Sequence, residues 1–115
     1  MTLKRTRKPD ALLGTLDLLV LRTLQHGPQH GYGIVTHLQS VTDAALRVEE
    51  GSLYPALHRM EQSGWITASW ETTANNRRAR VYRLTRQGQK RLADEQEKWA
   101  RLSEAVGKVL RFSEA

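Results

Sequence analysis

The residues of this chain best suited to chemistry are arginines and lysines gathered in one short segment. The segment from Thr72 to Ala93 contains no acidic residue and seven basic ones: Arg77, Arg78, Arg80, Arg83, Arg86, Lys90 and Arg91. Such a cluster attracts polyanions, phosphate groups above all. The whole chain of 115 residues has a formal net charge of +6 and a pI near 10.2, which favours the same kind of partner. A solvated segment that holds no ligand is the alternative interpretation.

A second group of polar side chains lies on one face of a short helix predicted between residues 50 and 64. Leu53, Leu57 and Met60 recur at the spacing of a buried helical stripe. The opposite face carries short or weakly basic side chains, namely Ser52, Pro55, His58, Arg59 and Gln62, with Tyr54 on its flank. Gly51-Ser52 predicts the start of this helix and Gly64 its end. The polar face suits a helix in a DNA major groove, although an ordinary amphipathic surface helix has the same pattern.

Other kinds of chemistry have little support in the sequence. The chain has no cysteine, which excludes disulfides and thiolate metal sites and fits a reducing compartment. Its four histidines lack the spacing of metal ligands. No nucleophile–base pair and no glycine-rich phosphate loop is recognisable. We therefore predict a cytoplasmic chain without enzymatic activity, metal or cofactor.

The first helix is predicted from Leu12 to Gln25, behind a basic arm over residues 1–11. Its buried stripe consists of Leu13, Leu16, Val20 and Leu24. Basic arm and apolar run together imitate a signal peptide, but Asp17 and Arg22 interrupt the run, which is too short to span a bilayer. The arm either increases solubility or contacts phosphates.

A second helix is predicted from Tyr32 to Val41, with Ile34, Leu38 and Val41 facing inward. Its exposed side includes Tyr32, which is available to solvent or phosphate. His30 precedes this helix and is expected to cap it or fix the loop, not to bind a metal. With the helix near residues 50–64, the order helix, short linker, helix is that of a helix-turn-helix.

After Gly64 the apolar period changes from 3.6 to 2, which predicts a β-hairpin. Ile66, Ala68 and Trp70 alternate with polar residues on the first strand, and the second strand contains Tyr82. The tip over residues 72–79 is polar and cationic, and its two asparagines tolerate left-handed geometry. A basic hairpin after a helix-turn-helix predicts a winged helix-turn-helix over residues 12–85. The fold class is therefore mainly α with a small β-hairpin, or α+β.

A long final helix is predicted from Arg86 to Arg111, capped by Thr85. An apolar seam with the spacing of a coiled coil runs along it, comprising Leu92, Trp99, Leu102, Val106 and Val109, with Glu95 as an imperfection. The domain has little surface left to cover so long a seam. We therefore predict that residues 86–115 form a dimerisation helix that pairs with a second copy.

Four stretches together resemble the PadR-like family of bacterial transcriptional regulators, in its short form with a single C-terminal helix. They are residues 16–21 (LDLLVL), 30–34 (HGYGI), 51–61 (GSLYPALHRME) and 75–88 (NNRRARVYRLTRQG). The resemblance covers residues 12–110, nearly the whole chain. Two departures concern the wing, where many members have glycine in place of Asn75-Asn76 and an aromatic residue in place of Val81.

The resemblance implies a homodimeric repressor that binds an inverted-repeat operator in double-stranded DNA on the nucleoid. The positions that match the family's DNA-facing helix and wing are Ser52, Tyr54, His58, Arg59, Arg77, Arg78 and Arg80. Some relatives hold a planar aromatic molecule at the dimer interface beside an aromatic residue that Trp99 matches. Trp99 therefore either stacks on such an effector or only packs the seam.

The sequence therefore predicts a sequence-specific DNA-binding transcriptional regulator released by a small molecule or another signal. A winged helix that binds another protein and no specific DNA is the main alternative. Binding to structured RNA is a further one, because a basic wing alone does not distinguish the two nucleic acids.

Overall fold

The computed structural model describes residues 10–114, with side chains from residue 15 onward. It contains four helices and three strands among these residues: α1 (Asp10–Gln25), β1 (Gln29–His30), α2 (Gly31–Val41), α3 (Glu50–Gln62), β2 (Ile66–Thr72), β3 (Arg78–Leu84) and α4 (Arg86–Arg111). This arrangement is a winged helix-turn-helix of the α+β class followed by a long C-terminal helix, as predicted. Residues 1–9 of the basic arm and the side chain of Leu13 lie outside the described part. No described helix is both long and apolar enough to cross a membrane.

The first two helices begin and end where local chemistry requires. α1 starts at Asp10, two residues earlier than predicted. It ends before Gly27, whose φ of +152° is a backbone conformation that residues with a Cβ rarely adopt. His30 caps α2, because its Nδ1 accepts a hydrogen bond of 3.0 Å from the N–H of Gly33, which confirms the predicted cap. The prediction for Val41 is wrong: its side chain is 61% exposed at the last residue of α2, beyond the core.

The helix α3 buries the predicted stripe of Leu53, Leu57 and Met60 completely. Its start differs from the prediction, because Glu49 is the N-cap and Ser52 lies inside the first turn with its N–H bonded to the Glu49 carbonyl. Its end is as predicted: Gly64 has a φ of +82°, the left-handed conformation that closes helices.

The sheet has the order β1-β3-β2, with all pairs antiparallel. The two-residue strand β1 is too short to show any period, so the sequence did not reveal it. β2 and β3 pair from Ile66 opposite Leu84 to Thr72 opposite Arg78, and Asn76 in the connecting turn has a φ of +61°. Of the two asparagines expected to tolerate left-handed geometry, Asn76 adopts it.

The core contains residues from every helix and from the sheet. Its most deeply buried side chains are Val20, Leu21, Ile34, Leu53, Leu57, Met60, Ile66 and Leu92. Leu92 corrects a prediction, because this residue was assigned to the seam between two copies and is only 1% exposed within one chain. Glu95 is also buried on the domain side of α4, paired with Arg91 at 2.6 Å. Nearly the first three turns of α4, from Arg86 to Glu95, therefore belong to the domain.

The start of α4 is joined to the end of α3 by a compact set of hydrogen bonds. Thr85 caps α4 as predicted: its hydroxyl oxygen accepts from the Gly88 N–H at 3.0 Å and donates to the Gly64 carbonyl at 2.7 Å. Gly88 is held so closely that a Cβ there would lie 2.0 Å from the backbone oxygen of Trp65. Only glycine allows this approach of the helix to the backbone.

A buried carboxylate joins α1 to α3. Asp17, whose side chain is 4% exposed, accepts hydrogen bonds of 2.9 and 2.8 Å from the two terminal nitrogens of Arg59. These hydrogen bonds raise the pKa of the Arg59 guanidinium, partly opposed by burial. A parallel pair of charge-assisted bonds fixes both distance and orientation between the helices.

Replacing Arg59 by alanine should lower the free energy of unfolding by about 2 kcal/mol, because it leaves the Asp17 carboxylate buried without a partner. The loss is smaller than the roughly 3–5 kcal/mol of a fully buried pair because the Arg59 side chain is 43% exposed. Urea unfolding measures it. Adding Asp17→Asn to Arg59→Ala should restore part of the loss, and Arg83→Ala, which removes an exposed pair, serves as the control. A stable Arg59→Ala variant would mean that the pair does not hold α3.

Gly88→Ala should lower the free energy of unfolding by at least roughly 2 kcal/mol, because the methyl group must displace backbone. Gly51→Ala is the matched control, since a Cβ at Gly51 meets nothing within 4 Å inside helix α3. This control should be neutral or slightly stabilising. Thermal unfolding of the two variants checks the difference, and equal midpoints would contradict the close approach.

Candidate nucleic-acid interface

The exposed face of α3 carries the side chains that the sequence assigned to base contacts. Ser52, Pro55 and His58 are exposed, as the predicted pattern requires. Tyr54 is 42% exposed, and its hydroxyl group lies against Gly31 at the start of α2, where a Cβ would be only 2.5 Å from the oxygen. This contact positions the tyrosine ring at the junction of the two helices. Tyr32, in the first turn of α2, is 62% exposed.

Arg59 differs from the other candidates on α3 because its guanidinium already has a partner. Both terminal nitrogens donate to Asp17, so the ion pair has no net charge. A guanidinium has five N–H donors, and the 43% exposure of this side chain leaves some of them facing solvent. Arg59 is therefore primarily a residue that holds α3 in place, and only secondarily available to a ligand.

The two faces of the hairpin formed by β2 and β3, here called the wing, carry different charge. Residues opposite each other in an antiparallel pair lie on the same face. On the outer face Arg83 pairs with Glu71, and hydrogen bonds from Arg83 and from Ser69 lower the pKa of the Glu71 carboxyl group. The outer face is thus nearly neutral close to the tip.

The inner face of the wing, defined by Trp70, Arg78 and Arg80, retains more positive charge. Trp70 lies opposite Arg80, and Arg78 lies opposite Thr72 nearer the tip. Among the described residues, Arg78 forms no ion pair, and neither does Arg77 in the turn. The predicted phosphate contacts Arg77 and Arg78 are therefore exposed cations at the end of the wing.

Arg80 joins the inner face of the wing to α3. Its guanidinium lies 3.1 Å from the Glu61 carboxylate, with the two side chains 44% and 31% exposed. Below this bridge Tyr82 is buried in the core, and burial raises the pKa of its hydroxyl group. The bridge neutralises part of the charge predicted for Arg80, and it brings the cationic wing to the C-terminal half of α3. The polar face of α3 and the cationic face of the wing are thus neighbours.

The apolar residues of α4 beyond the domain form a separate group. Trp99, Leu102, Val106 and Val109 are 48%, 44%, 46% and 74% exposed. Their spacing of three or four residues keeps them on one side of the helix. Two exposed surfaces are thus separate in the structure, one on α3 and the wing and the other on the C-terminal half of α4.

Two residues of structural importance, Asp17 and Trp70, were not identified from the sequence. Asp17 was noted only as an interruption of an apolar run, although a carboxylate within such a run requires a buried partner. Trp70 was placed among inward-facing residues, but it is 58% exposed because β2 extends beyond the core. In the described part of the chain, no group of three or more potential ligands could hold a metal ion.

Comparison with known proteins gives a consistent result. A model of the family described as "Transcriptional regulator PadR-like family" matches residues 20–94. A transcriptional regulator from Clostridium thermocellum is 28% identical, with a TM-score of 0.78 over 87% of this chain and 97% of that one. An uncharacterized protein of Lysinibacillus sphaericus is 25% identical over 86% of this chain and 91% of its own length.

Two further solved structures carry the family's name. A PadR family transcriptional regulator from Eggerthella lenta is 32% identical, with a TM-score of 0.72 over 87% of this chain and 85% of that chain. A PadR-like transcriptional regulator from Bacillus cereus is 25% identical, with a TM-score of 0.76 over 91% of this chain and 100% of that chain. With more than half of its residues matched by the family model, the chain belongs to the PadR-like family of transcriptional regulators.

Proposed function

We propose that this regulator is a homodimeric repressor that binds an inverted-repeat operator through α3 and the wing. The observation that carries the proposal is the bridge between Arg80 and Glu61, at 3.1 Å, which joins a cationic wing face to a helix with a free polar face. A duplex presents this combination of targets, since phosphates lie on both sides of the groove that exposes the base edges. Such a protein would act on the nucleoid in the cytoplasm.

The wing would supply most of the affinity. Arg77 and Arg78 are exposed and make no ion pair within the described chain, so they need not break an internal ion pair to reach phosphates. Each phosphate that a cation neutralises releases condensed counterions, and the affinity therefore falls as salt rises. Arg80 contributes less, because Glu61 already neutralises it.

Sequence preference would come from the exposed face of α3. Ser52 and His58 offer short polar groups that can donate to or accept from base edges. Tyr54 and Tyr32 lie at the flank, where hydroxyl groups can bond to phosphates. Arg59 would act mainly by holding α3 on α1, and only secondarily as the DNA-facing residue that the family resemblance implies.

The exposed stripe of α4 would form the dimer interface. The helix is 26 residues long, which corresponds to roughly 39 Å. Its four exposed seam residues begin beyond the part covered by the domain. Pairing with a second copy removes this apolar surface from water. A two-fold dimer then presents two α3 helices to half-sites about one helical turn, roughly 34–36 Å, apart.

Release from DNA would follow from a change in the angle between the two copies of α4, because that angle determines the spacing of the α3 helices. Trp99 is the candidate site for an effector, since an exposed indole can stack on a planar aromatic molecule held between two copies. A seam tryptophan that only packs the dimer accounts for the same exposure.

The remaining alternative function is a winged helix that binds another protein. None of the contacts described above specifically favours this alternative.

Binding to DNA from upstream of the protein's own gene tests the proposed function. The wild type should bind this fragment more tightly than a shuffled fragment of equal length, with affinity falling steeply with salt. Arg77→Glu with Arg78→Glu should reduce affinity at least roughly tenfold and flatten the salt dependence, because phosphate contacts are lost. Fluorescence anisotropy measures both quantities.

Lys108→Glu with Arg111→Glu is the matched control. It changes the net charge by the same amount as the wing variant does, but on the side of α4 away from the seam. It should bind nearly as the wild type does. Equal effects of the two double variants would indicate attraction by net charge alone. Unchanged affinity in the wing variant would contradict the DNA-binding role and favour the protein-interaction alternative.

Trp99→Glu should weaken the dimer by roughly 100-fold, about 3 kcal/mol, because it places an unpaired charge in an apolar interface. Sedimentation velocity across a range of concentrations measures the dissociation constant. Ala100→Glu introduces the same charge at the next residue, outside the seam, and should leave the sedimentation mass unchanged. A dimer that survives Trp99→Glu would show that α4 does not pair through this stripe.

A further inference from the structure

Trp70 is a large apolar side chain on the inner face of the wing that the core does not cover. It shares that face with Ile66, which is 1% exposed, yet Trp70 itself is 58% exposed. The strand extends past the core, so the indole could have been replaced by a polar residue without creating a cavity. An exposed indole at such a position is a candidate contact for a partner.

The neighbours of Trp70 show which kind of partner it fits. The Arg78 guanidinium carbon lies 6.0 Å from the centroid of the indole, and Arg80 lies directly opposite in the strand pairing. A guanidinium at this distance attracts the ring and restricts its orientation. The indole is therefore an apolar surface beside the unpaired cation Arg78 and beside Arg80, whose charge Glu61 partly neutralises. The remaining positive charge disfavours a basic partner and favours a polyanion that also has apolar surface.

The sugar–phosphate backbone of DNA has this composition, because an apolar deoxyribose face lies between successive phosphates. We propose that Trp70 is a DNA contact whose indole packs against a deoxyribose of the strand whose phosphates Arg77 and Arg78 neutralise. The inference rests on the proposed function and adds an uncharged contact with DNA to the charged contacts proposed for the wing. Arg78 then has two functions, since it neutralises a phosphate and holds the indole in position.

Replacing Trp70 by alanine removes the proposed contact, and the salt dependence of DNA binding then shows whether the lost contact was charged or apolar. Trp70→Ala should weaken binding to the upstream fragment about fivefold per wing, because the apolar area that the indole buries on the sugar is lost, and thus about 25-fold for a dimer with two wings. The salt dependence should not change, because no cation is removed. Arg78→Ala should instead lower both the affinity and the salt slope. Trp70→Phe should retain most of the binding, and circular dichroism verifies that the variants are folded.

Fluorine NMR of protein labelled with 5-fluorotryptophan gives an independent measurement. The Trp70 resonance, identified by its loss in Trp70→Phe, should shift when the duplex is added, whereas the Trp65 resonance should not. Either of two results overturns the proposal: Trp70→Ala binds as the wild type does, or the Trp70 resonance does not move when the duplex is added. It is also overturned if Trp70→Ala changes the sedimentation mass and leaves DNA affinity unchanged, because the indole would then contact a second copy.

The two proposals fail in distinguishable ways. A wild type that binds neither the upstream nor the shuffled fragment contradicts the proposed function and the Trp70 contact together. A wild type that binds the upstream fragment specifically, with Trp70→Ala equal to it in affinity and salt slope, contradicts the contact alone.

Discussion

The ion pair between Asp17 and Arg59 is the contact on which the arrangement of the helices depends. A carboxylate that is 4% exposed tolerates burial only with a charged partner, and the charged partner that Asp17 has among the described residues belongs to α3. Because α1 also packs against α4, the ion pair fixes α3 to the same helix that contacts α4. The geometry of α3 relative to the C-terminal helix is therefore determined by this ion pair, by the core around it, and by the hydrogen bonds of Thr85 with Gly64 and Gly88.

Much of this fold could be predicted because its signals are local. The stripe of Leu53, Leu57 and Met60, the cap at Thr85 and the bounds of α4 each follow from the spacing of residues close in sequence. The features that escaped prediction depend on distant partners. Strand β1 exists only because β3 pairs with it, and Leu92 is buried because α1 and α4 are adjacent, which no periodicity within α4 reveals.

The candidate site shows the same division. Residue type and position indicated a cationic wing, and the structure has exposed arginines there. Which arginines retain their charge could not be known, since Glu61 and Glu71 neutralise Arg80 and Arg83 across elements. The outer face is neutral because Glu71 pairs with Arg83, and the inner face stays cationic because Arg78 forms no ion pair with the described residues. A count of basic residues therefore overstates the charge that a ligand would meet, and it does not show on which side the ligand would lie.

One continuous helix, α4, begins in the core with Leu92 and continues to the exposed stripe at Trp99. If two copies pair through that stripe, association and folding are linked by mass action, because only folded chains can form the dimer. Resistance to unfolding would then rise with the concentration of the protein, and a newly made chain would be least stable while copies are few. The level of the regulator would thus set how long each copy persists as well as how much of the operator is occupied.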